Sequence, residues 1–280
     1  MIYKENKGLF IRRVNYGLPF ETLAIEEANG CPFDCEYCFL KSYFSESDVV
    51  IYTNKRSLFE ELEKRLSEGK KRRFYIGEYS EPLWTNRFNG VVSEIIEIFR
   101  RYPEEELEIR TKFTEVDFLK DTTPPKNIIF AWSLLPEDIS EKVEKGVPSV
   151  EERIKAMFKT KERGFRVGVR LEPLLFYKGW EDGYRKLIKK VSSALDEPLE
   201  MGALRLTPHL RRLIYSKNPG SELLKTEFVI SKDGKLRYPR GIRFRLYSHI
   251  LSLIYPSPAR IYMEEDFLIE SLKKYWKNLK

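Results

Sequence analysis

A chain of 280 residues with 42% hydrophobic side chains is long enough to bury a sizeable core as one large α/β domain with additions, or as two domains. Its net charge of +7, from 50 basic and 43 acidic residues, permits a polyanionic partner without demanding one. Three features are not expected: a membrane span, since no run approaches ~18 apolar residues; a leader, since Met1 to Arg13 lacks a charged-then-apolar pattern; and a disulfide framework, since the 3 cysteines all fall between positions 31 and 38. The expected location is therefore the cytoplasm, with no membrane partner.

Strand-like and helix-like stretches alternate along the chain. Leu23–Asn29 reads as a first strand ending at Gly30, followed by a cysteine loop. Ser57–Glu68 has amphipathic helical spacing, Arg73–Gly77 is a short strand, Val91–Arg101 a helix and Leu107–Thr111 a strand. After the Pro124-Pro125 break comes a strand at Asn127–Ser133. Ser149, three residues before Glu152, signals a helix start, and Gly164 closes that helix. Phe165–Leu171 is a strand, Trp180–Leu195 a helix, Glu200–Leu206 a sixth strand and Pro208–Ser216 a short helix.

Six strand–helix units in series predict a parallel sheet, curled by right-handed crossovers into a partial (β/α)6 TIM-type barrel. The chemistry of such barrels sits at the C-terminal ends of the strands, and the cysteine loop follows the first strand. Beyond about residue 220 the pattern changes. Glu227–Ser231 and Lys235–Tyr238 flank Asp233-Gly234, the turn signal of a β-hairpin. Helices at Ile242–Leu253 and Glu264–Leu279 follow. The expected division is a barrel domain over 1–220 and a hairpin and helical extension over 221–280.

The stretch Gly30-Cys31-Pro32-Phe33-Asp34-Cys35-Glu36-Tyr37-Cys38 has the spacing C-x3-C-x2-C. Three thiolates on one loop suit three corners of a [4Fe–4S] cubane, which normally takes four cysteines. With no fourth cysteine in the chain, one iron is open to an outside ligand. The amino and carboxylate groups of S-adenosyl-L-methionine (SAM) suit that corner. An electron from the reduced cluster would then break a carbon–sulfur bond and release a 5′-deoxyadenosyl radical, which abstracts hydrogen from substrate. Two other readings stay open: a zinc site completed by His209 or His249, and a redox Cys-x2-Cys pair.

The cysteine loop resembles the radical SAM superfamily, whose signature is this spacing. The resemblance extends to the spore photoproduct lyase family from about Gly30 to Gly220. It is carried by Cys35-Glu36-Tyr37-Cys38-Phe39-Leu40, Thr111-Lys112-Phe113-Thr114-Glu115-Val116-Asp117, Ser133, Gly146-Val147-Pro148-Ser149, Gly164-Phe165-Arg166-Val167-Gly168 and Gly179-Trp180-Glu181-Asp182-Gly183-Tyr184. It implies that Cys31, Cys35 and Cys38 ligate the cluster, that Tyr37 packs near the adenine, and that Lys112 and Ser133 contact SAM. It also implies an external electron donor of the flavodoxin or ferredoxin type.

That family cleaves a crosslinked thymine pair in DNA, so a DNA-repair-like carbon–carbon lyase acting on a modified base is the activity implied. One departure bears on it. The lyases carry a hydrogen-donating cysteine after strand two, where this chain reads Phe74-Tyr75-Ile76-Gly77-Glu78-Tyr79-Ser80-Glu81-Pro82. Glu78 falls at or beside that position, and a carboxyl O–H bond is too strong to serve as donor. Gly77-Glu78 instead looks like the Gly-Gly-Glu element of many radical SAM enzymes, which holds the SAM amine. Tyr79 is the candidate hydrogen donor, and Glu172 a candidate contact for ribose or substrate.

The family's C-terminal hairpin wedges into DNA. In this chain Lys235, Arg237, Arg240 and Arg243 are the candidate phosphate contacts, with Tyr238 placed to stack on a base. Two alternatives keep their place: radical chemistry on a protein or small molecule, and a non-enzymatic Fe–S or zinc-binding module.

Overall fold

The structure is a computed structural model that describes residues 1–18, 20–43, 48–195 and 197–279. Eight strands share one sheet: β1 (Ile11–Val14), β2 (Thr22–Ile25), β3 (Arg73–Ile76), β4 (Glu106–Thr111), β5 (Ile128–Ser133), β6 (Arg166–Leu174), β7 (Leu199–Ala203) and β8 (Ala259–Ile261). They lie side by side in chain order. β2 to β5 run parallel, as do β6 to β8, and β1 returns antiparallel onto β2. The expected α/β partial barrel is the fold. Where six strands are expected, the sheet has eight among the described residues, with β1 and β8 added at its two edges.

The helices that matter below are α1 (Lys55–Leu66), α2 (Pro82–Asn89), α3 (Val91–Arg100), α4 (Val150–Glu162), α5 (Trp180–Val191), α6 (Pro208–Lys217), α7 (Arg240–Ile254) and α8 (Asp266–Lys277). α2 has no counterpart among the expected elements. It opens on Pro82, whose fixed φ and missing N–H suit a first helical turn. Among the described residues no helix is long and apolar enough to cross a membrane.

The chain forms two compact units, one of Met1–Pro32, Glu46–Trp132 and Glu152–Gly168, the other of Phe33–Ser45, Ser133–Glu151 and Val169–Lys280. In the first, strand alternation sorts side chains by face. Phe74, Ile76, Leu107 and Ile109 are fully buried, and Phe74 meets Phe99 of α3 edge to face, with ring centroids 5.2 Å apart. Each such side chain contributes about 1.5–3 kcal/mol by leaving water. The alternate residues are polar. Arg73 bonds Glu106 at 2.6 Å and Glu108 at 3.3 Å, and Arg110 Nε bonds Glu108 at 3.0 Å. Buried charge is tolerated there because it is paired.

The first strand is shorter than the expected Leu23–Asn29. At Glu26 and Glu27 the chain leaves the sheet to bury two carboxyl groups, and Ala28–Asn29 then pairs antiparallel with Val50–Tyr52. Glu26 accepts from Arg12 Nε at 3.0 Å and from the Tyr52 hydroxyl at 2.9 Å.

In the second unit, Arg170 of β6 is ion-paired with Glu172 and Glu200. The expected sixth strand, Glu200–Leu206, splits: β7 stays in the sheet, while Arg205–Leu206 pairs antiparallel with Leu236–Arg237. That segment is one arm of the expected hairpin, and Val229–Ile230 is the other. Gly234 makes the turn in the left-handed region, with its N–H bonded to Ser231 at 2.9 Å.

Candidate functional site

In the first unit, three chain segments converge behind Cys31. Gly30 has φ +86°, and a Cβ there would lie 2.6 Å from the Asp48 carbonyl oxygen, so only glycine fits immediately before the cysteine. Its N–H donates to the Tyr79 carbonyl at 2.9 Å. Gly77, at φ +98°, is tighter still, because a Cβ would sit 2.2 Å from the Arg110 carbonyl oxygen. The segment after β3 therefore runs close against the backbone of β4, and Gly77 and Glu78 are brought beside the strand that Lys112 follows.

Two buried glutamates pin this segment. Glu27 accepts from the Ser80 hydroxyl and from Thr85 Oγ1 at 3.3 Å. Glu81 accepts from the Thr111 hydroxyl and from the Lys112 N–H at 2.8 Å. Burial pushes both carboxyl groups up to about 7, against the lowering effect of these donors. Residue-type reasoning missed both. Glu27 lies two residues past β2 and Glu81 five past β3, and nothing local marks either as buried; only the fold buries them.

Glu78 is half-buried and accepts a hydrogen bond from the Tyr16 hydroxyl. Tyr16 lies after β1, outside every element expected from the sequence. Tyr79 is half-buried, with its carbonyl committed to Gly30. Lys112 follows β4 directly, with a half-buried side chain.

In the second unit, the rest of the cysteine loop is held residue by residue. Asp34–Cys35 forms a two-residue antiparallel pairing with Glu144–Lys145, Cys35 opposite Glu144. The Glu36 N–H donates to the Val143 carbonyl at 2.8 Å, and the Cys38 N–H to the Cys35 carbonyl at 3.2 Å. The buried Glu36 carboxylate accepts from Asn218 Nδ2 at 2.9 Å and Ser221 Oγ at 2.5 Å. Tyr37 donates its hydroxyl to Glu144, which also accepts from Ser140 at 2.6 Å. Ser133 ends β5, and Glu172, on β6, is paired with Arg170.

No cysteine is in a disulfide; Cys35 is buried, while Cys31 and Cys38 are partly exposed. Among the described residues, no three His, Cys, Asp or Glu side chains surround a point that one metal ion would occupy. A cubane makes a different demand, since each thiolate binds a separate iron and the sulfurs stand apart. The donor set fits that demand: three thiols and no fourth, in one short loop whose second half is fixed by backbone pairing and a buried carboxylate. His249, one of the two candidate zinc ligands, has its Nε2 at 3.0 Å from the Glu181 carbonyl oxygen and its ring against Trp180.

The hairpin residues expected to meet nucleic acid are largely engaged within the protein. Tyr238 is 1% exposed; its ring stacks on Phe228 and its hydroxyl accepts from the Phe176 N–H at 3.3 Å, so it has no face to offer a base. Arg237 is buried and bidentate to Asp233 at 2.6 and 2.8 Å, an arrangement that holds the Asp233 carboxyl far below its usual range. Arg243 is buried between Glu264 and Glu265, its Nε bonded to the Tyr238 carbonyl at 2.9 Å. To contact a nucleic acid, each of these three would have to abandon an internal partner. Lys235, half-buried, and Arg240, exposed and stacked 3.5 Å over the Phe267 ring, remain as candidates. Tyr238→Phe should cost about 1 kcal/mol in denaturant unfolding, the worth of one hydroxyl bond to backbone.

A model of the spore photoproduct lyase family matches residues 11–241. The spore photoproduct lyase of Bacillus subtilis (strain 168) is 26% identical over 254 residues, covering 85% of this chain and 72% of its own length. That of Geobacillus sp. (strain Y412MC61) is 24% identical over 236 residues, covering 79% of this chain and 69% of its own. Among solved structures, a spore photoproduct lyase complexed with dinucleoside spore photoproduct superposes with a TM-score of 0.81 at 22% identity, covering 92% of this chain and 80% of that one. Streptococcus suis SuiB bound to its precursor peptide SuiA reaches a TM-score of 0.60 at 13% identity, over 90% of this chain and 50% of that one, a likeness of fold alone. These matches support an enzyme of the radical SAM type that resembles spore photoproduct lyase. With the family model spanning most of its length, the chain belongs to the spore photoproduct lyase family of the radical SAM superfamily.

Proposed function

We propose that this protein holds a [4Fe–4S] cluster on Cys31, Cys35 and Cys38, binds SAM at the cluster's open iron, and acts on a modified base in nucleic acid. The observation that carries the reading is the three-thiol loop that follows the first parallel strand, in a chain with no fourth cysteine. When bound, cluster and SAM supply one-electron cleavage of a carbon–sulfur bond and, with it, hydrogen-atom abstraction. The protein's own residues bind and orient. Gly77 allows the backbone after β3 to run against β4, Glu78 receives the SAM amine, and Lys112 meets the SAM carboxylate. Ser133 and Glu172 supply polar contacts, and Tyr37 packs by the adenine with its hydroxyl anchored on Glu144. Tyr79 stands as hydrogen donor in place of the absent cysteine, and a flavodoxin or ferredoxin type protein as electron source.

A nucleic-acid substrate draws support from the relative solved with a dinucleoside lesion, from the net charge of +7, and from Lys235 and Arg240. The internal use of Arg237, Tyr238 and Arg243 favours a second reading, in which the same chemistry acts on a protein or a small molecule. Anaerobic reconstitution should yield about four irons per chain, and dithionite with SAM should release 5′-deoxyadenosine. Absence of that product under reducing, oxygen-free conditions overturns the radical reading. Irradiated DNA, followed by product mass analysis, separates the two substrate readings.

A further inference from the structure

Glu78 falls at or beside the position where the family resemblance places a cysteine, and the first unit supplies it with a set of fixed neighbours. Tyr16 is 5% exposed and donates its hydroxyl to the Glu78 carboxylate. The same phenolic oxygen accepts from Arg110 Nη1 at 3.2 Å. Arg110 lies 3.7 Å over the centre of the Tyr75 ring and 4.9 Å from that of Tyr16, and its Nε is bonded to Glu108 at 3.0 Å. Tyr16 and Tyr75 meet edge to face at 5.3 Å.

Each of these contacts removes a degree of freedom. Tyr75 of β3 and Arg110 of β4 are strand residues, so the sheet sets their positions. Arg110, stacked on one ring and bonded to Glu108, presents Nη1 to the phenol. The phenol, accepting from a cation, has its proton directed at Glu78. Desolvation by burial raises the Tyr16 hydroxyl well above its ordinary range, so it remains a donor rather than a competing anion. A carboxylate that receives such a bond is held in one orientation.

We propose that Tyr16 and Arg110 are positioning residues which orient the Glu78 carboxylate to receive the ammonium group of SAM. The inference rests on the assignment of Glu78 to the SAM amine made above. It gives the N-terminal segment around β1 a part in cofactor recognition. The alternative role for Tyr16 is to pack the N-terminal segment against the sheet, without reference to any ligand.

The two roles separate by the part of SAM they touch. Methylthioadenosine carries the adenosine and thioether of SAM but no amino-acid group. Reconstituted protein, titrated with each compound anaerobically, should bind SAM at least about tenfold more weakly as Tyr16→Phe, the expected effect of losing one charge-assisted hydrogen bond. Affinity for methylthioadenosine should stay within about twofold, because the lost contact does not touch that ligand. Glu78→Gln should weaken SAM binding at least as much. Tyr16→Phe added to Glu78→Gln should then have no further effect, since the phenol acts only through the carboxylate. Equal weakening of both ligands by Tyr16→Phe, no weakening of SAM, or a full Tyr16→Phe effect in the Glu78→Gln background overturns the proposal. Should Tyr16→Phe fold poorly, Arg110→Lys, which keeps the charge but loses the planar stack, is put through the same pair of titrations with the same criteria. Wild-type protein that binds no SAM would refute the Glu78 assignment itself, a result distinct from any of these.

Discussion

Cys35→Ala is expected to abolish the brown chromophore and bring iron from about four per chain to near zero. Formation of 5′-deoxyadenosine should fall by more than about a hundredfold, since losing a ligand outweighs the 10–100-fold typical of outer-shell losses. Cys35 is the most informative of the three positions because it is buried and set opposite Glu144 in a backbone pairing, so no neighbouring exposed side chain replaces it. Cys31→Ala and Cys38→Ala should match it. The fold should survive in all three, because the loop's backbone bonds do not involve the thiols. Iron and sulfide assays with product chromatography read the result. A Cys35→Ala protein with normal iron and normal product would dismiss the cluster assignment.

The second large effect is on stability. Glu27 and Glu81 are carboxyl groups whose folded-state values are pushed up to about 7 by burial, from an ordinary 4.5. Between those limits the folded chain holds protons that the unfolded chain has released. Stability therefore falls as pH rises: the contribution is complete below about 4.5 and is lost as pH passes through about 7. Each group contributes on the order of 3 kcal/mol of this dependence. The two are not independent, because charge on Glu81 raises Glu27 further. Glu81→Gln should accordingly flatten the curve, with unfolding free energy near wild type at pH 5 and above wild type at pH 8. Urea unfolding at the two pH values tests this, and parallel curves for variant and wild type would refute it.

The barrel strands are legible in the sequence because the face packed with helices is continuous and apolar. Phe74, Ile76, Leu107 and Ile109 announce their strands without any knowledge of the fold. The hairpin is legible for an equally local reason, the Asp233-Gly234 turn. What lies beyond reach depends on partners distant in the chain. Arg243 reads as an exposed base until Glu264 and Glu265, about twenty residues on, close around it. Tyr238 reads as a stacking platform until Phe228 and Phe176 cover it. The residues of the candidate site divide in the same way. Gly77 and Glu78 are found by type and spacing, whereas Tyr16, Glu27 and Glu81 are found only when separate segments meet, since nothing local marks them.

The enclosure of Arg243 bears on how much of the C-terminus is dispensable. A guanidinium 2% exposed tolerates its surroundings only while two carboxylates answer it, and both come from the short link that leads into α8. The same link supplies Glu264 to Tyr247, whose hydroxyl in turn caps the Ala203 N–H of β7 at 2.7 Å. Protease trimming back to Met263 would strand a positive charge inside the protein and loosen a sheet strand some sixty residues upstream. The link ahead of the last helix thus belongs to the framework of the sheet.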